Sequence, residues 1–149
     1  MKLNITLISI WRPKMNIKRY FLAVIAVLAT IVVTNIIIHS FILMDTYTSL
    51  KQIWRPDMMN FIWIMYITDI ILAFLFVYIF VKGYENKGML EGIRFGFIMG
   101  LLLDGLSASG QFLVYPIPFS LAAQWFIYGI IRFVILGIIV ALVYRPKTA

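Results

Sequence analysis

The amino-acid sequence predicts an all-α, polytopic membrane protein whose four transmembrane helices form an up-down bundle. Three observations lead to this prediction. Of the 149 residues, 63% are hydrophobic and only 13% are charged, against about 45–50% and about 25% in soluble domains. The apolar residues form four long blocks, and basic residues gather at the ends of those blocks. Lipid is therefore the solvent of this chain, and an ordinary soluble domain is excluded.

Each block is long enough to cross a bilayer, because about 20 apolar residues span about 30 Å of hydrocarbon. The predicted spans are residues 20–44, 61–81, 95–115 and about 121–143. The connectors between them hold only 16, 13 and 5 residues, so none of them can contain a soluble domain. The sequence therefore predicts one four-helix transmembrane domain over residues 1–149.

Two of the connectors have a predicted structure of their own. Residues 46–54 place aromatic and aliphatic side chains near helical spacing before Pro56, which predicts a short interfacial helix between the first two spans. We expect Trp54, at the end of this helix, to lie at headgroup depth. Residues 115–118 contain two prolines and predict a tight hairpin, so the third and fourth helices should be antiparallel neighbours.

Basic residues predict the orientation. Ten lysines and arginines lie in the N-terminal segment, the second connector and the C-terminal tail, whereas the first connector has only Lys51 and Arg55. Because lysine and arginine are enriched in cytoplasmic loops, we expect a bacterial inner-membrane protein with both termini cytoplasmic. The first apolar block continues past a cleavage-site pattern that ends at Ala29, which favours an uncleaved signal anchor. Translation from Met15 instead of Met1 is an alternative start.

The composition excludes several chemistries. The absence of cysteine excludes disulfides, thiolate metal sites, iron–sulfur clusters and cysteine nucleophiles. His39 is the single histidine, so haem would lack a second histidine ligand, and His39 with Asp45 makes only a weak metal pair. The sequence has no recognisable nucleophile–base pair, and its basic residues do not line one polar face. We therefore expect no enzyme activity, no cofactor or metal, and no nucleic-acid partner.

Three charged residues lie near the middle of predicted spans, at one depth: Asp69, Asp104 and Arg132. Each costs about 2.5–3.5 kcal/mol at a helix centre, so such residues face the bundle interior and find partners. They predict an intramembrane charge network, which is either a buried ion pair that fixes helix register or a proton or ion relay. Two aspartates against one arginine leave one negative charge unbalanced, which favours proton traffic.

Polar residues recur at four-residue spacing in the outer halves of two spans. Gln124 and Tyr128 precede Arg132 on one helix face, and Asn35 and His39 share a face of the first span. These residues predict a polar outer vestibule. Interhelical hydrogen bonds, worth about 0.6 kcal/mol each, are the alternative explanation.

Small residues form a ridge on the third span. Its members recur at multiples of four residues, in the same row as Asp104: Gly88, Gly92, Gly96, Gly100 and Ala108. Small residues let helix backbones approach closely, which favours helix association in lipid. The ridge therefore predicts a packing surface, whose partner is another span, another copy of the chain or another protein.

Several short runs are distinctive: Trp54-Arg55-Pro56, residues 78–85, residues 87–96, Tyr115-Pro116-Ile117-Pro118 and Trp125-Phe126. Together, over about residues 15–146, they resemble a family of small, uncharacterised bacterial four-span membrane proteins. The resemblance implies a four-helix protein of the bacterial inner membrane. It implies no activity, so no functional residue follows from it.

Two functions fit these features. The first is a non-enzymatic accessory or scaffolding subunit whose small-residue ridge packs against another copy or a larger membrane complex. The alternative is a small proton- or cation-coupled transporter or channel unit that uses Asp69, Asp104 and Arg132. Membrane lipids are expected partners of both, and the first function also implies a homo-oligomer or a membrane protein complex.

Overall fold

Four long helices make up the bundle in the computed structural model, which describes residues 15–144. The first span is Ile17–Ile42, the second Met58–Lys82, the third Met89–Val114 and the fourth Phe119–Val143. All four are long and apolar enough to cross a membrane, and residues 15–144 contain no strand. The predicted all-α, four-span class is confirmed. Met1, the basic residues before Met15 and those after Tyr144 lie outside the described residues.

The third helix starts at Met89, well before the apolar block at residue 95. Glu91 explains this early start, because its two carboxylate oxygens accept the backbone N–H groups of Glu85 and Lys87 at 2.7 and 2.9 Å. Gly88 directly precedes the helix with a φ of 68°, a left-handed conformation that glycine adopts without strain. These features hold the connector of residues 83–88 against the helix start.

The short helix between the first two spans is Met44–Ser49, so the prediction of a helix over residues 46–54 was wrong in extent. The chain turns after Ser49, and Trp54 folds back so that its Nε1 donates to the carbonyl oxygen of Tyr47 at 3.0 Å. This bond to the backbone replaces the helical hydrogen bonds that the prediction assumed. Trp54 consequently packs against a buried cluster that includes Leu121.

Consecutive spans run in opposite directions. Connectors of six and four residues separate the last three spans and reach at most roughly 20 Å, whereas a 25-residue helix is about 37 Å long. The first two spans are antiparallel because Tyr20 bonds to Phe74 whereas the later residue Asn35 bonds to the earlier residue Asp69. We call the end of the bundle near Ile17 the termini end and the opposite end the short-helix end.

The backbone of the first span lies close to those of the second and fourth spans, and the backbone of the third span lies close to that of the fourth. Phe76 of the second span also reaches the rings of Phe95 and Phe133. The larger buried cluster lies toward the termini end and includes Val27, Phe76 and Phe133. The smaller cluster lies at the short-helix end and includes Leu43 and Leu121. The fourth span therefore contacts both the first and the third and occupies a central place in the bundle.

Two spans contain a wide π-helical segment. Ile36–Ile42 closes the first span, and Leu101–Gly105 interrupts the third. Asn35 lies directly before the first of these segments, and Asp104 lies within the second. Since π-helical turns are frequent at functional sites, their position directs attention to the polar residues at this level.

Candidate functional site

Arg132 is the centre of a polar network inside the bundle. Its Nη2 donates to Oδ2 of Asp104 at 2.7 Å, and its Nη1 donates to Oδ1 of Asn35 at 2.6 Å. The side chain of Arg132 is 13% exposed and that of Asp104 is 27% exposed. Such charge-assisted bonds are about twice as strong as neutral ones, and Arg132 therefore ties three spans together.

Asn35 extends this network to the second span. Its Nδ2 donates to Oδ2 of Asp69 at 3.3 Å, while its own Oδ1 accepts from Arg132. Asp69 is only 9% exposed. Each span thus contributes one residue to a continuous chain of hydrogen bonds, in the order Asp69, Asn35, Arg132 and Asp104.

The structure brings the three predicted charges together, but it connects Asp69 to Arg132 through Asn35 and not directly. The four-residue spacing of Asn35 and His39 predicts instead that Asn35 belongs to the outer vestibule. Depth in the membrane predicts the partners of Asn35 better than this spacing does. Asn35 is about one turn from the middle of its apolar block, and Asp69 and Arg132 lie near the middle of theirs.

Gly129 provides the space in which Asp104 lies. A methyl group at Gly129 would overlap the Asp104 side chain and would lie 2.8 Å from its Cγ. Spacing alone does not single out this glycine, because Gly129 lies on the fourth span and outside the four-residue row of the third. The role of Gly129 follows from Asp104, the residue of the third span that faces it.

A cavity of about 230 Å³ lies on the short-helix side of the network. Asp104 and Arg132 line it, together with His39 and Tyr128 from the predicted vestibule. Gln124 does not line it, although it lies on the same helix face as Tyr128 two turns before Arg132. Four further polar or aromatic residues, which the sequence pattern does not predict, also line the cavity: Tyr47, Ser107, Gln111 and Trp125.

Tyr47 holds the short helix over this cavity. Its hydroxyl accepts a hydrogen bond from Nε1 of Trp125 at 2.8 Å and lies 2.6 Å from Nδ1 of His39. The rings of His39 and Tyr47 are stacked, with centroids 5.8 Å apart. Burial raises the pKa of the Tyr47 hydroxyl, although the bond from Trp125 opposes that shift. The hydroxyl therefore keeps its proton, which it can donate to His39.

On the termini side of the network the bundle is closed by apolar side chains. Ile31, Phe76 and Phe133 are fully buried there, and the rings of Phe76 and Phe133 lie 5.7 Å apart. The polar cavity therefore lies on only one side of the charged residues, toward the short-helix end.

The small-residue ridge faces the fourth span of the same chain. A methyl group at Gly92, Gly96 or Gly100 would lie 2.8–2.9 Å from atoms of Ala141, Val134 or Ile130 respectively, closer than side chains tolerate. Ala108 is also buried, and it lies beside the cavity.

Gly88 does not belong to this contact, contrary to our interpretation of its spacing. It precedes the helix, and a methyl group on it would meet no atom within 4 Å. Its left-handed φ explains this glycine better than packing does.

Residues 15–144 contain no group of three histidine, aspartate or glutamate side chains that could hold a metal ion. Comparison of the chain with protein-family models, curated proteins and solved structures finds no match in any of the three.

Proposed function

We propose that this integral membrane protein is a small proton- or cation-coupled transport unit that uses Asp69, Asp104 and Arg132. The observation that carries the proposal is the network in which one polar residue from each span joins a continuous chain of hydrogen bonds beside a polar cavity. No enzymatic step is part of the proposal.

The charges of the network support coupling to a cation. Asp104 pairs directly with Arg132, whereas Asp69 reaches Arg132 only through the neutral amide of Asn35. One carboxyl group thus has no direct counter-charge in a setting where an uncompensated charge is costly. A proton or a monovalent cation supplies the missing positive charge.

The shape of the bundle supports transport by alternating access. The charges are reached through the cavity at the short-helix end, and the apolar cluster around Phe76 and Phe133 closes the opposite side. Movement of an ion through the bundle would require this apolar cluster to repack. The π-helical segments lie at the level of the charges, where the first and third spans depart from regular helix geometry.

Proteoliposomes that contain the purified full-length chain test this proposal. We expect proton or monovalent-cation flux under an imposed gradient, and a loss of most of it in Asp69→Asn and in Asp104→Asn. Asp45→Asn is the matched control, because it removes a carboxylate from the exposed face of the short helix. Absence of flux in the unmodified protein under every gradient, or equal flux in all variants, contradicts the proposal.

An accessory or scaffolding subunit is the second candidate function. The ridge no longer supports it, because Gly92, Gly96 and Gly100 are occupied within the chain. What favours it is an apolar groove of about 530 Å³ between the third and fourth spans, whose walls include the exposed side chains of Leu113 and Phe119.

Purification from native membranes in mild detergent distinguishes the two candidates. A stoichiometric partner that is lost in Ala123→Phe, which fills the groove, supports the accessory function. Leu102→Phe is the control, because Leu102 is exposed and does not line the groove. A chain that purifies alone or as a homo-oligomer supports the transport unit.

The proposed location is the bacterial inner membrane, with both termini in the cytoplasm. The basis is the excess of basic residues in the terminal segments and the second connector over the first connector, which holds only Lys51 and Arg55. The resemblance to small bacterial four-span proteins also implies the bacterial inner membrane, and it stays a prediction. A reporter enzyme that is active only outside the cytoplasm, fused after Ala149, should be inactive, and an active fusion would contradict this orientation.

A further inference from the structure

We propose that the cavity binds a small organic cation of the substituted-ammonium class. This inference rests on the proposed function, because it names the substrate of the same site. Its grounds are the charge at the inner end of the cavity, the aromatic rings on its walls and its size.

The inner end of the cavity provides a carboxylate oxygen for a cation. Arg132 uses Nη1 on Asn35 and Nη2 on Oδ2 of Asp104. Within residues 15–144, Oδ1 of Asp104 has no hydrogen-bond partner. Arg132 therefore positions Asp104 through Nη2 and Asn35 through Nη1, while two carboxyl groups still exceed its one positive charge.

Aromatic rings line the way to this carboxylate. His39, Tyr47, Trp125 and Tyr128 contribute to the cavity. A second cavity, of about 270 Å³, shares Tyr47, Gln111 and Trp125 with it and adds Trp54. The ring centroids of Tyr47, Trp54 and Trp125 are separated by 5.6–6.4 Å. Aromatic faces attract cations, and such clusters recognise quaternary ammonium groups.

Charge and size narrow the ligand class further. Arg132 is the only lysine or arginine, within residues 15–144, that lines either cavity. An anion would therefore meet a guanidinium whose charge is already paired with Asp104, and a carboxylate oxygen next to it. A volume of about 230 Å³ is below the about 300–1,000 Å³ of pockets for drug-sized ligands, so the ligand must be small.

Calorimetric binding measurements on the purified full-length chain in mild detergent test this inference with three probes. Choline carries a trimethylammonium group, 3,3-dimethylbutan-1-ol has the same shape without the charge, and propionate is a small anion. We expect saturable binding of choline, and binding of the uncharged alcohol that is at least about tenfold weaker. Equal binding of the alcohol, stronger binding of propionate, or no binding of choline would overturn the inference.

Variants connect the binding to the residues named. Asp104→Asn should weaken choline binding by about tenfold or more, since it removes the charge that the cation faces. Trp125→Leu should weaken it by up to about tenfold, whereas Trp125→Phe keeps a ring and should retain most of it. Trp63→Leu is the control, because Trp63 is exposed on the second span and lines neither cavity. Unchanged affinity in both Asp104→Asn and Trp125→Leu would overturn the inference.

The outcomes separate this inference from the transport proposal. Proton flux without choline binding leaves the transport unit standing and rejects the organic cation. Choline binding that depends on Asp104, in a protein that moves no ion, rejects transport and leaves a cation-binding site.

Discussion

The two halves of the bundle use the same four helices in opposite ways. At the termini end, the backbone of the third span at Gly92 and Gly96 lies directly against the fourth span, and apolar side chains fill the interior. At the short-helix end, the spans leave a polar cavity and two of them widen into π-helical turns. The comparison shows that close backbone contact in one half holds the helices while the other half provides space.

The physical reason is the solvent. Lipid gives little hydrophobic gain when two helices associate, so stability must come from close packing and interhelical hydrogen bonds. The termini half relies on close packing, and the half at the short-helix end relies on Arg132 and Tyr47. Variants that remove either the close packing or one of these polar contacts measure how much each half contributes to the stability of the bundle.

The largest effect should come from Gly96→Leu, which attacks the close packing at the termini end. Its side chain would overlap the Phe133 carbonyl and lie against the backbone of Val134. Because backbone cannot move aside as a side chain does, we expect a cost well above the about 1–3 kcal/mol of ordinary overpacking and above the about 3–5 kcal/mol for loss of a buried ion-pair partner. Ile98→Leu, at a position that is 62% exposed, should be nearly silent. Thermal unfolding in detergent checks this, and equal tolerance of both changes would show that the contact is dispensable.

Arg132→Leu should have the next largest effect, because it leaves Asp104 and Asn35 without their donor. Removing one partner of a buried pair costs about 3–5 kcal/mol in soluble proteins. Adding Asp104→Asn should restore much of the stability if the pair is structural. Arg55→Leu is the matched control, since Arg55 forms an exposed pair with Asp57, a kind worth about 0–1 kcal/mol. A midpoint of unfolding that Arg132→Leu leaves unchanged would refute the role of the network.

Gly129→Ala tests the space at the short-helix end. The added methyl group overlaps Asp104, so the carboxylate must move and we expect a cost of about 1–3 kcal/mol. Gly110→Ala makes the same change on the third span where no atom lies within 4 Å, and it should be neutral or stabilising because alanine favours helix. Unfolding midpoints that shift alike in the two variants would contradict the assigned role of Gly129.

Tyr47→Phe should have the smallest effect. It removes the hydroxyl between His39 and Trp125, and such bonds contribute about 0.5–1.5 kcal/mol each. Tyr66→Phe is the control, because Tyr66 is exposed on the second span. A loss of stability as large as that of Arg132→Leu would mean that the short helix, and not the charge network, holds this half together.

The sequence predicted the features that follow from composition and depth. Long apolar blocks predicted the four spans, and the high cost of charge in lipid predicted that Asp69, Asp104 and Arg132 face the interior. Four-residue spacing identified Gly92, Gly96 and Gly100, which the structure places against the fourth span. It extended the row one member too far, to Gly88, because spacing does not show where a helix begins.

The remaining features depend on tertiary contacts. Spacing assumes a regular helix, so it does not predict the π-helical segments at Ile36–Ile42 and Leu101–Gly105. Tyr47 lies 78 residues from Trp125 along the chain, and only the folded bundle brings them together. Gly129 likewise has meaning only beside Asp104, which belongs to another helix.

The central place of the fourth span has a consequence for how the chain is made. Arg132 follows Asp104 by 28 residues, which corresponds to roughly 1–6 s of synthesis at about 5–20 residues per second. During that interval the carboxyl group of Asp104 has no arginine partner, and an unpaired carboxyl group in a span is costly in lipid. Assembly of the first and third spans must therefore await insertion of the last helix, and a chain truncated before Phe119 should be a target for membrane proteases.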